Sequence, residues 1–278
     1  MSRAGADRLR KRPFLSGSII VAVVVVIEAM LLNVLPGMMA EFVPNDLRWT
    51  EFPTAFITLV NASLAFLFSY QAFNTFDPGD YKRKIWRFVM LSMGAWVIGH
   101  FLSVAVRFGF MVDMARPPNI ADYLGYLWML PLLLVALSRQ YGLVRTNSPP
   151  NRLMKLGLFV VLLLFAGTIL LVSPFFSPRF ITLPERLVSL WYIGFSFAIM
   201  VVAVSLLSEI YSGLVSVSWK FIIMAVFFFC LSFTLFYFIG TNNLDRGSHF
   251  AKTLQAILSQ TGTILIGTAS FIESRLFG

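Results

Sequence analysis

Phe221-Ile222-Ile223-Met224-Ala225-Val226-Phe227-Phe228-Phe229-Cys230-Leu231-Ser232-Phe233-Thr234-Leu235-Phe236-Tyr237-Phe238-Ile239-Gly240 contains no charged side chain. About 20 helical residues at ~1.5 Å rise cover the hydrocarbon core of a bilayer. Leu156 to Pro178 is equally free of charge. With these two runs, the chain offers about eight candidate spans: Leu15–Leu35, Pro53–Phe73, Trp86–Phe108, Ile120–Val144, Leu156–Phe176, Leu187–Leu207, Trp219–Tyr237 and Leu254–Phe271. Lipid gives the backbone no hydrogen-bond partners, and helices satisfy theirs internally. The expected fold class is therefore all-α, a polytopic integral membrane bundle of about eight transmembrane helices. Residues 1–14 form a basic segment, 15–274 a single bundle and 275–278 a short tail.

Composition supports that reading and closes off others. The chain is 58% hydrophobic and 13% charged, too little polar surface to clothe a soluble domain. Its net charge of +9 is spread over ends and loops, where the lipid bilayer is the expected partner and nucleic acid is not. One cysteine, Cys230, permits no internal disulfide, and two histidines supply no ligand set for haem or zinc. No metal and no cofactor are expected. The basic head before Leu15 resembles the start of a secretory signal. Its apolar segment exceeds a signal's roughly 7–15 residues, however, and Pro36 to Ala40 is a poor cleavage site. A retained helix follows.

Basic residues assign the sides. Arg3, Arg8, Arg10, Lys11, Arg12, Lys82, Arg83, Lys84, Arg87, Arg139, Arg145, Arg152, Lys155, Lys220 and Arg275 fall on one side. Arg48, Arg107, Arg116, Arg179, Arg186, Arg246 and Lys252 fall on the other. Fifteen of the 22 lie together, so the positive-inside rule puts both termini in the cytoplasm. The asymmetry is concentrated in the first half. Turn formers at Asp77-Pro78-Gly79-Asp80, Asn147 to Asn151 and Asn242 to Gly247 separate the spans. Trp49, Trp86, Trp191 and Trp219 fall near span ends, where head-group anchoring is expected.

The polar residues inside the spans are the candidate site. Glu28 is placed in the middle of the first span, where an ionised carboxylate costs at least a few kcal/mol. It is either a proton-linked or ligand-sensing group, or a neutral carboxyl bonded to a neighbouring helix, for instance through Asn61. Trp96, His100, Ser103 and Arg107 follow one another at spacings of four, three and four, a stripe along one helical face. His100 titrates in the physiological range when unperturbed, which suits a sensor, a ligand or a structural hydrogen bond. Arg107 can snorkel outward as an anchor. The last span is the most polar, with Gln255 and Gln260 as possible pocket residues. Ser259, Thr263 and Gly267 form a small-xxx-small stripe for close helix packing. No lysine sits deep in this span, which disfavours a retinal Schiff base, and no catalytic set or Walker loop is present.

Pro117-Pro118-Asn119-Ile120-Ala121-Asp122-Tyr123-Leu124-Gly125-Tyr126, continuing through Leu127-Trp128-Met129-Leu130-Pro131 to Leu137, has a local explanation. Asn119 can cap the helix, and Asp122 complements its first N–H groups. The same string resembles the Ala-Asp-x-x-Tyr-Leu-x-x-Tyr-Pro-Leu-Leu-Leu pattern of MASE-like multi-helix sensor modules, which precede diguanylate cyclase, phosphodiesterase and histidine-kinase domains in prokaryotes. Pro131 comes a turn later here. The resemblance implies a sensing bundle in a prokaryotic cytoplasmic (inner) membrane. The sequence contains no Gly-Gly-Asp-Glu-Phe loop and no phosphoacceptor-histidine helix. The expected role is a non-enzymatic sensor-like or scaffold subunit that binds a small or lipidic ligand and acts through a membrane or cytoplasmic signalling partner or a homo-oligomer. The alternative is a small-solute or lipid transporter using the intramembrane polar residues.

Overall fold

A computed structural model describes residues 13–42, 51–110, 118–144, 182–210, 217–241 and 249–277. Every element among them is helical: α1 Pro13–Phe42, α2 Phe52–Asn74, α3 Tyr81–Val104, α4 Leu127–Val144, α5 Leu183–Ile210, α6 Val217–Thr241 and α7 His249–Phe277. Wide π turns extend α3 at Ala105–Gly109 and precede α4 at Asp122–Tyr126. Five helical segments are long and apolar enough to cross a membrane: Phe52–Asn74, Tyr81–Gly109, Asp122–Val144, Leu183–Leu207 and Val217–Leu235. The chain is thus a helical membrane bundle. The expected span Leu156–Phe176 lies outside the described residues, as do the turns at Asn147 to Asn151 and Asn242 to Gly247.

Local chemistry sets the helix starts. Asp80 accepts from the Lys82 N–H at 2.8 Å, while its own N–H closes the turn on the Asp77 carbonyl at 2.9 Å. Asn119 Oδ1 accepts from the N–H groups of Ala121 and Asp122, and Asp122 Oδ2 accepts from the Asn119 N–H at 2.9 Å. Asn119 thus caps the helix as anticipated, and Asp122 adds a reciprocal bond back to the Asn119 N–H.

Helices α2 to α7 form a closed circuit, each packed on the next and α7 returning to α2. Helix α1 lies outside this circuit against α7 and α2. The side chains that fill the ring come largely from α3 and α6: Trp86 meets Trp219 with centroids 5.7 Å apart, and Trp96 meets Phe229 edge-on at 5.6 Å. Trp86 and Trp219 are 1% and 3% exposed, so they are core residues and not the head-group anchors expected from their positions. Trp49 lies outside the described residues. The polar α7 is the most enclosed at its centre, which explains why it can carry so many hydroxyls and amides. Its small-residue stripe works as expected at Gly267, where an added Cβ would stand 3.4 Å from the Ala65 Cα. The closest approach at a described glycine is between α3 and the π turn before α4, where a Cβ on Gly125 would lie 2.3 Å from the Gly99 nitrogen.

Pro131 lies inside α4. It lacks an N–H, so the Leu127 carbonyl four residues earlier loses its helical donor. Trp191 on α5 replaces it, its indole Nε1–H donating to the Leu127 oxygen at 3.0 Å. Trp191 is 41% exposed, but its polar end is committed to protein and not to the head-group layer. A second carbonyl is handled likewise. In the π turn the Leu127 N–H reaches back to the Asp122 oxygen, passing over Tyr123, and Trp128 Nε1–H donates to the Tyr123 carbonyl at 3.0 Å. Both repairs are of the kind a backbone carbonyl needs where lipid supplies no donor.

Candidate functional site

Glu28 and Asn61 meet as anticipated: Asn61 Nδ2–H donates to Glu28 Oε1. The same amide donates to Gln260 Oε1 at 2.9 Å, and Gln260 Nε2–H donates to Thr58 Oγ1 at 3.0 Å. The Thr58 hydroxyl in turn donates to the Thr54 carbonyl at 2.8 Å. The result is a directed chain across three helices. α1 contributes the carboxyl, α2 the amide and a hydroxyl, and α7 a second amide. Asn61 uses both of its donors, and Gln260 uses both ends of its amide. Glu28 and Gln260 are buried, on opposite sides of Asn61. One turn further along α7, Thr263 Oγ1 accepts from Trp96 Nε1–H at 3.1 Å, so the same helix surface also holds α3.

His100 belongs to a different group. Its Nδ1 lies 3.0 Å from the Tyr126 hydroxyl, and its ring stands edge-on to Trp96 with centroids 4.5 Å apart. The other ring nitrogen, Nε2, is buried with no hydrogen-bond partner among the described residues. Asp122 is buried at the head of α4, where Oδ1 accepts from the Tyr192 hydroxyl of α5 at 2.8 Å. It therefore does more than cap its own helix: it fastens α4 to α5. Arg107, at the far end of the stripe, pairs with Glu51 at 2.5 Å. Both partners are substantially exposed, 31% and 44%, so this pair is worth at most about 1 kcal/mol.

The candidate residues do not form one pocket. Glu28, Asn61 and Gln260 form one cluster, Trp96 and His100 join Tyr126, and Asp122 joins Tyr192. Gln255 enters none of them through a side-chain bond among the described residues; its carbonyl accepts from Ser232 Oγ at 3.0 Å.

Sequence reading missed several partners. Tyr192 was not singled out, Tyr126 was read only as part of the string before α4, and nothing about an isolated tyrosine reveals its hydroxyl partner. Glu273 lies beyond the expected end of the last span, yet it is buried and accepts from Ser218 Oγ at 2.5 Å. Its spacing of three and seven residues from Ser270 and Ile266 puts it on the same buried face, a signal that required extending the helix past Phe271. Among the described residues no group of three or more His, Cys, Asp or Glu side chains converges as a metal site would. No family model, curated protein or solved structure matches the chain.

Proposed function

We propose that this chain is a non-enzymatic integral membrane subunit of a prokaryotic cytoplasmic membrane, a sensor-like or scaffold protein that acts through a partner. The observation that carries this reading is that its intramembrane polar groups hold helices together. Glu28, Asn61 and Gln260 join α1, α2 and α7; Trp96 and Thr263 join α3 and α7; Asp122 and Tyr192 join α4 and α5. Each shared bond makes the position of one helix depend on another, which suits a bundle that transmits or presents a conformation. The MASE-like resemblance of Asp122 to Leu137 points to the same role. Outside the ring, α1 leaves Ile19, Val23, Ile27, Met30 and Val34 exposed, a face for lipid or for a partner's helix.

Eight spans and cytoplasmic termini complete the proposal. Helix α4 ends near the Lys82 end of α3, since the Arg139 carbonyl lies 3.5 Å from the Tyr81 hydroxyl. Helix α5 begins near the start of α4, as the Asp122–Tyr192 bond requires. A chain that leaves one end of the bundle and returns at the other has to change sides, which supports a crossing by Leu156–Phe176. Affinity capture in mild detergent, with mass analysis of the purified complex, tests the subunit reading. Reproducible recovery of a lone monomer would overturn it.

A transporter is the second reading, favoured by the position of Glu28 at the open end of the Asn61–Gln260–Thr58 chain. It requires saturable flux in proteoliposomes that is lost in Glu28→Gln while the protein remains folded. Equal flux in both proteins, or none in either, removes it.

A further inference from the structure

One end of the bundle carries cations that lie on aromatic rings and, among the described residues, pair with no carboxylate. Lys82 Nζ sits 4.2 Å from the centroid of Phe277 and 5.7 Å from that of Phe76. The Arg83 guanidinium lies 4.6 Å from Phe73, that of Arg275 5.3 Å from Phe271, and that of Arg139 4.8 Å from Phe88. Phe76 and Phe277 are themselves 5.7 Å apart, so the end of α2, the start of α3 and the end of α7 meet in one seam of rings and cations. Lys84 and Arg87 continue the charge along the exposed side of α3. Among the described residues none of these six is in ion-pair contact with an acid; the pair formed there is Arg107 with Glu51, on the opposite end.

The nearby carboxylates among the described side chains mostly have other work. Asp80 caps α3, and Glu273 is buried on Ser218. Asp77, exposed in the turn before α3, remains as local opposition. The first turn of α3 contains no acidic residue but does contain Lys82, Arg83 and Lys84, so positive charge is stacked on the positive end of the helix dipole. The Asp80 carboxylate at the N-cap offsets part of this charge, and an anion outside the protein would offset more. Ring contacts position the ammonium and guanidinium groups themselves, each of which carries more N–H donors than one ring face engages. A membrane surface offers phosphate oxygens at this depth, with acyl chains beside the apolar helix faces.

We propose that this end is a binding surface for anionic phospholipid, in which Lys82, Arg83 and Arg275 receive the phosphodiester and Lys84, Arg87 and Arg139 enlarge the attractive field. Phosphatidylglycerol is the probe and phosphatidylcholine of identical acyl chains the control, each added to the full-length protein in neutral detergent and followed by native mass spectrometry. Phosphatidylglycerol should be retained at least about fivefold more strongly, and the triple variant K82Q/R83Q/R275Q should lose at least about tenfold of its retention. The exposed pair K84Q/R87Q, which disturbs no ring contact, should lower retention at an unchanged melting temperature. R107Q, at the other end, should leave it unchanged. Equal retention of the two lipids overturns the proposal, and so does unaltered preference in K84Q/R87Q and the triple variant. Displacement of the lipid by millimolar inorganic phosphate would assign the surface to a free anion and overturn it as well.

Discussion

Asn61 is the single side chain on which the Glu28 cluster depends, because it is the only described link between the α1 carboxyl and the α7 amide. Replacing it with leucine keeps the bulk but leaves the Glu28 and Gln260 acceptors without a donor. Each orphaned buried group costs about 1–3 kcal/mol. Asn61→Leu should therefore lower the melting temperature clearly, whereas Glu28→Gln, whose carbonyl can still accept from Asn61, should change it little. Thermal unfolding of the purified variants in one detergent checks both, and a Glu28→Gln variant as unstable as Asn61→Leu would show that the charged form is the one the cluster holds. This part of the site was legible from sequence for a simple reason. Glu28 and Asn61 are long-reaching polar groups in apolar surroundings, so each had to find a partner on a neighbouring helix. Tyr192 was not legible as the partner of Asp122, because an aromatic residue in an apolar run satisfies the pattern whether or not its hydroxyl is used. His100 was singled out for its chemistry, but its spacing could not foretell that Tyr126 would engage one ring nitrogen and leave the other buried.

Helix α4 shows what a periodicity argument can and cannot deliver. Its existence and its cap follow from the apolar run after Asn119 and Asp122. The π turn has no sequence signature, and Pro131 was a departure from a motif pattern until Trp191 was found on the carbonyl it frees. Trp86 and Trp219 fail as anchors for a related reason: position near a span end does not reveal which face of the helix a ring occupies, and theirs face the ring interior. The Pro131 repair makes a quantitative prediction. Trp191→Phe removes the donor to the Leu127 carbonyl and should cost about 1 kcal/mol. In a Pro131→Ala background the restored N–H at position 131 can serve that carbonyl, so the same Trp191→Phe change should cost much less. A double-mutant cycle on unfolding free energies should give a coupling of about 1 kcal/mol. Additive costs would mean that Trp191 acts only through its ring, which lies tilted against Phe195 with centroids 4.6 Å apart.

The arrangement of the whole bundle determines which connections share a membrane face. Lys82 lies on Phe277, and the Arg139 carbonyl lies beside Tyr81, so the start of α3 and the ends of α4 and α7 are together. Ser218 at the start of α6 bonds Glu273 near the end of α7, which adds the start of α6 to that group. This linkage supplies what charge alone left weak, since Lys220 is the one basic residue near that connection. The first turn of α3 carries Lys82, Arg83 and Lys84, and Lys or Arg near a span end resists translocation, so the proposed topology makes this face the cytoplasmic one. Cysteines placed at Ser148, Ser212 and Ser248 in a Cys230→Ser background, probed with a membrane-impermeant thiol reagent on intact cells, test the assignment. Ser148 and Ser212 follow the ends of α4 and α5 and should be protected; Ser248, between α6 and α7, should be labelled. All three become labelled once the membrane is permeabilised, which separates protection by topology from burial. Labelling of Ser212 in intact cells would place the α5–α6 connection outside, conflict with the start of α6 lying at the basic end through Ser218 and Glu273, and remove the proposed cytoplasmic C-terminus on which action through a cytoplasmic partner depends.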